Sequence, residues 1–252
     1  MKKKVLAIAL AVALLAIMVG SSLAYFTDTD QVTNTFTVGS VLIDIYENGN
    51  LTVEDTIKFE QQLIPVVNTT EPNQDLSYIK KEVSVNSNGE NAAYVRTLLA
   101  IPAKLENYLI LDVNTTDWIF VTDYTVTAED GLTYKVYVYD YNKAVDPKAE
   151  KNEDRFTTNV LKGVYLASDV DLEADTNGSL WFVKKNYSNG EITHRSNFLA
   201  HTKGTDGYTT NTISVLVAAQ AIQAQGFSSA TDALNTGFPV GTNPWGTATL
   251  NP

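Results

Sequence analysis

Apolar and polar residues alternate with a period of two in segment after segment of this 252-residue chain, and the segments are rich in Val, Ile, Thr and Tyr. Such alternation puts every second side chain on one face of an extended strand, so the chain must stack half-buried sheets. Val41-Leu42-Ile43-Asp44-Ile45 sets Val41, Ile43 and Ile45 on one face. Residues 57–59, 78–86, 93–101, 118–126, 132–141, 160–166, 180–184 and 212–224 read the same way, bounded by Asn, Asp and Gly. About nine strands suffice for two facing sheets. The expected fold is all-β: a jelly-roll-like β-sandwich with inserted loops and one or two short helices.

Tyr134 to Tyr139 carries large residues at both odd and even positions, which fits a central strand covered on both sides or bordered by an inserted loop. Residues 140–154 are polar and interrupted by Pro147, a surface excursion with room for a helical turn over 148–155. A helix is expected from Ser228 or Ser229 as N-cap through Ala233 and Leu234 to Gly237. The alanines of 212–224 suit a helix, but Ile213, Val215 and Val217 alternate and Thr209 to Thr212 is a poor helix start, so a strand is expected. The tail, Gly241 to Gly246, reads as irregular.

The N-terminus has a different character. Lys2, Lys3 and Lys4 precede an apolar run from Val5 to Val19, and Ser22 and Ala24 stand at the −3 and −1 positions of a cleavage site between Ala24 and Tyr25. This is the layout of a secretory signal peptide. A retained anchor is the alternative, since about 20 apolar residues can span a bilayer, but Gly20, Ser21 and Ser22 break the run. The expected organisation is a signal peptide over 1–24, a donor segment and hinge over 25–39, and one β-sandwich domain over 40–252. The protein is expected outside the cell or on its surface, touching the membrane only in transit.

Loss of Lys2, Lys3 and Lys4 with the signal takes the net charge from −11 to −14. A surface this acidic repels phosphate backbones, which argues against a nucleic-acid partner. The chain has no cysteine, so neither disulfides nor thiolate chemistry are open to it. Zinc hydrolysis calls for three ligands and a base, commonly two His one helical turn apart. This chain has only His194 and His201, without a His-Glu-x-x-His, and no Gly-x-Ser-x-Gly elbow. Asp171 to Gly178 has the alternate oxygen ligands of half a calcium loop, but Lys184 stands where the bidentate Glu belongs. The expectation is no catalytic residues, no metal and no cofactor.

One constellation carries a mechanism. From Val32 to Val38 the even positions are Val32, Asn34, Phe36 and Val38 and the odd ones are Thr, giving an extended strand one mostly apolar edge. Gly39 then allows the chain to turn before Val41. Two consecutive strands of one sheet would account for this; so would residues 25–38 leaving their own domain to complete a neighbour's sheet. On the second reading Phe26, Val32, Phe36 and Val38 are the anchors and Gly39 the hinge.

The stretch Ala24-Tyr25-Phe26-Thr27-Asp28, with Asn34-Thr35-Phe36-Thr37-Val38-Gly39, resembles the mature start of TasA-like and camelysin-like proteins. Lys81 to Asn86, Asn88-Gly89, Ala93-Tyr94-Val95-Arg96, Asn189 to Thr193 and Ala221 to Phe227 are similar to further segments of that family. The resemblance implies a secreted β-rich protein, a strand over 212–224, and a subunit of extracellular fibres; with the donor segment above, the expected role is a structural subunit that polymerises head to tail with itself by strand donation. Accessory anchoring or nucleating proteins are compatible with that role. Camelysin-like relatives imply the alternative of a cell-surface metalloprotease, and a monomeric surface-binding module is the third reading.

Overall fold

The computed structural model describes residues 27–30, 41–52, 56–58, 65, 70–74, 77–205, 207–210 and 213–246. Strands β1 (Thr27–Asp30), β2 (Ile43–Glu47), β3 (Asn50–Leu51), β4 (Thr56–Lys58), β5 (Ile79–Ser87), β6 (Ala93–Pro102), β7 (Leu109–Val113) and β8 (Trp118–Thr127) lead into β9 (Thr133–Tyr141) and β10 (Leu161–Leu166). Then follow β11 (Val170–Ala174), β12 (Leu180–Asn186), β13 (Glu191–Gly204), β14 (Gly207–Thr210), β15 (Ser214–Gln223) and the helix α1 (Ala230–Gly237). One sheet runs β1-β15-β6-β9-β8, with β4 also on β15; the second runs β3-β2-β5-β10-β7; the third runs β11-β12-β13-β14. The fold is an all-β sandwich, and each strand expected from the alternation is present.

Val41, Ile43 and Ile45 are all buried. The strand they open lies slightly later than the apolar pattern suggests, because its end is set by the tight turn at Asn48 and Gly49, both at positive φ. In β6 the alternation divides two cores. Ala93, Val95, Leu99 and Ile101 face the second sheet, meeting Val83, Val85 and Val164, whereas Leu98 and Ala100 join Val136, Val138, Leu216, Ala218 and Trp245 on the opposite face. β9 does the same, with Tyr137, Tyr139 and Tyr141 against one core and Tyr134, Val136 and Val138 in the other. Large residues at both parities thus mark a strand covered on both sides. Residues 241–246 are irregular, but they close the outer core through Trp245.

The third sheet was not legible in the sequence, where 167–210 offered only a short strand among loops. Its strands are polar: β11 alternates Val170 and Leu172 with Asp171 and Glu173, whose carboxylates pair with Lys185 on the adjacent β12 and with Arg195 on β13 beyond it. β13 is longer still, and three irregularities in its register with β12 blur any periodicity. Val170, Phe182 and Ala200 join this sheet to the main core. Ser196 fixes it further by donating its hydroxyl to the Lys104 carbonyl at 2.8 Å.

The outer face of the first sheet is closed by α1. Ser229 caps the helix, its side chain accepting the Asp232 N–H at 3.2 Å. Ala230, Ala233 and Leu234 pack on Ile222 and Tyr94. Beneath the helix lies a fully buried ion pair. Arg96 and Asp140 stand opposite each other in the β6–β9 register, Arg96 Nε donating to Asp140 Oδ1 at 2.7 Å and Nη2 to Oδ2 at 3.0 Å. The remaining guanidinium donors reach the Phe238 carbonyl at 3.0 Å and Asn235 Oδ1 at 2.8 Å. One side chain therefore ties two strands to the end of the helix. Removing one partner of a buried pair strands the other's charge, at a cost of about 3–5 kcal/mol. Arg96→Met is expected to lose stability of that order in urea denaturation. Arg96→Met with Asp140→Leu should recover part of it.

Candidate strand-acceptor site

β15 is bonded on one side to β6 over eight registered pairs, from Leu216 opposite Ala100 to Gln223 opposite Ala93. Its inner face presents Val215, Val217, Ala219 and Ala221 to the core, and its outer face presents Leu216, Ala218 and Ile222 to the tail and α1. Both faces being buried explains why an alanine-rich segment is a strand here: Ala219 and Ala221 pack in the main core and Ala218 in the outer one, and tertiary packing overrides helix propensity.

The other side of β15 is shared by two short pieces. β4 pairs with its beginning, Lys58 opposite Ser214 and Thr56 opposite Leu216. β1 pairs with its end, Asp30 opposite Ala219 and Thr27 opposite Ile222. Both run antiparallel to β15, so they follow one another along the same edge as a strand in two fragments. No described strand residue pairs with Val217 or Ala218 on that side.

The anchors expected from the sequence, Phe26, Val32, Phe36 and Val38, lie outside the described residues, as do the hinge Gly39 and the cleavage residues Ala24 and Tyr25. What the structure adds is the edge on which the described part of that segment lies. Thr27–Asp30, inside the expected donor segment, pairs with β15 of its own chain. The sequence signal for β15 was its alternation running into small residues, but nothing in it indicated which side would be left to fragments.

The other candidate sites resolve differently. His194 and His201 both lie on β13, opposite Lys184 and Leu180, and His194 is exposed. Among the described residues no group of three or more His, Asp or Glu is placed to hold a metal ion. The calcium-like stretch is the strand β11 followed by a tight turn at Gly178, and its carboxylates are engaged. Lys185 donates to Asp171 at 2.6 Å and, against the opposing effect of burial, holds that carboxyl below its usual range. Burial also opposes ionisation of Asp175. The Trp181 indole and the backbone N–H groups of Ser179 and Asn177 nevertheless hold it low as well.

Residues 1–90 match the family model described as camelysin metallo-endopeptidase. The similarity to the camelysin family is confined to this N-terminal part of the chain. Comparison with curated proteins and with solved structures gave no match. The matched span covers β1 to β5 and includes the expected donor segment, while β15 lies beyond it.

With the carboxylates of 171–175 already occupied, millimolar calcium is expected to leave the melting temperature where it stands in chelator. A calcium-dependent rise that disappears in Asp175→Asn would show instead that the turn binds the ion.

Proposed function

We propose that the mature chain is an extracellular structural subunit that polymerises head to tail. Residues 25–38 of one copy add as a strand to the β15 edge of the next. The observation that carries this reading is the divided edge: a buried strand whose side away from β6 is bonded, among the described residues, to fragments of four and three residues, β1 and β4. A longer continuous strand gains more main-chain hydrogen bonds from the same edge, each worth about 1 kcal/mol net. Val32, Phe36 and Val38 would add roughly 1.5–3 kcal/mol each if fully buried. These sums are comparable with an association cost of about 4–15 kcal/mol. A contact that is not closed by rotation propagates as a filament. The signal-like leader, with a cleavage site expected after Ala24, supports a process outside the cell.

In this reading Phe36 faces the acceptor core and Thr35 faces away, as neighbours on a strand must. Phe36→Asp buries an unpaired carboxylate at a cost of several kcal/mol and is expected to abolish filaments, scored by negative-stain microscopy and sedimentation. Thr35→Asp should reduce them far less. Equal loss in both variants would mean that the facing is wrong, and filaments of unchanged width after deletion of 25–38 would refute donation by this segment.

The family description favours a second reading, a metallo-endopeptidase. The subunit reading expects the purified mature protein to leave an unstructured protein substrate intact, with or without added zinc. Hydrolysis that co-purifies with the chain and is lost in His194→Ala or His201→Ala would establish the peptidase instead.

A further inference from the structure

The way β15 is shared between its two fragments carries a consequence for how a donor strand can enter. A strand continuing from Asp30 in the β1 register has two positions, opposite Ala218 and Val217, before it meets Thr56, which stands opposite Leu216. While β4 is in place, the edge therefore cannot take a donor that reaches past Val217 toward Ser214. The β1 register is also a poor one for burial, because it sets Asp28 and Asp30 opposite Ala221 and Ala219, both fully buried core positions. A shift by an even number of residues keeps the same parity on the core face. Moving four residues along places Val32 opposite Ala221, Asn34 opposite Ala219, Phe36 opposite Val217 and Val38 opposite Val215. The two acids are thereby replaced by one amide and three apolar side chains, and the largest of them stands where no described strand residue now pairs. The last position, opposite Val215, is the one that Ile57 of β4 holds.

We propose that β4 is a displaceable occupant of the acceptor edge: filament growth requires Thr56–Lys58, together with the chain's own Thr27–Asp30, to leave β15, and residues 32–38 of the neighbour then take the positions opposite 221 to 215. This rests on the strand-addition reading above. The occupant is a second copy of this chain, because the shifted register matches its apolar positions to β15. An edge held by short fragments of its own chain is protected from indiscriminate pairing, yet loses only a few hydrogen bonds when a longer strand arrives.

The chain has no cysteine, so β4 can be fastened selectively. Ile57→Cys with Val215→Cys joins two directly opposed residues of the full mature chain. Should that pair fail to fold, Thr56→Cys with Leu216→Cys joins the next opposed pair, which belongs to the outer face. The oxidised protein, its intramolecular disulfide verified by mass, is expected to stay monomeric in sedimentation and microscopy, and to form filaments once reduced. Asn34→Cys with Ala219→Cys should give intermolecular disulfides along the filament, reporting the shifted register. Oxidised protein that assembles as fast as its reduced form would overturn the displacement of β4 while leaving strand addition standing. If neither the reduced variant nor the unaltered chain assembles at any concentration, strand addition fails and the role of β4 fails with it.

Discussion

Backbone hydrogen bonding along β15 is the constraint on which the rest of the molecule turns. This strand is buried on both faces, so its main-chain groups cannot be left to water at little cost and must find partners along its edges. β6 supplies one side in an unbroken run. The other side receives two pieces drawn from parts of the chain that are close in space and distant in sequence, β1 and β4. A fold finished in this way has a seam where a better-matched strand can compete.

The surroundings of β15 are built to be rigid, which makes the seam the soft element by contrast. Behind it, Arg96 and Asp140 couple β6, β9 and the end of α1 through four hydrogen bonds. On the outer face α1 and Trp245 cover Ile222, Leu216 and Ala218, and on the inner face the second sheet covers Val215 and Val217. Replacing the edge fragments does not require any of these contacts to break. The third sheet stands apart from this arrangement, tied in by Val170, Phe182 and Ala200.

Much of the architecture was legible from the sequence because each sandwich strand has one face in the core. The period of two at Val41 to Ile45 and Ala93 to Ile101, and the double-sided pattern of Tyr134 to Tyr139, translate directly into burial. Ser229 and Gly237 likewise bound the helix where capping chemistry put them. The third sheet escaped because its stabilisation is cross-strand and polar: Glu173 with Arg195 and Asp171 with Lys185 look like solvated charges until their strands are paired. The acidic stretch 171–178 was misleading for the same reason. The site was legible only by halves. The apolar parity of Val32 to Val38 is a local pattern that leads to an expected strand, outside the described residues, whereas the pairing of β1 and β4 on one edge is a long-range fact that no local pattern encodes.

Amide hydrogen exchange on the mature protein before and after assembly tests the central claim most directly. If β15 is the acceptor, peptides covering 214–223 should become more protected in filaments than in monomers, and peptides covering 56–58 should become less protected. Unchanged exchange at 214–223, with new protection appearing along β8 or another edge, would contradict the account.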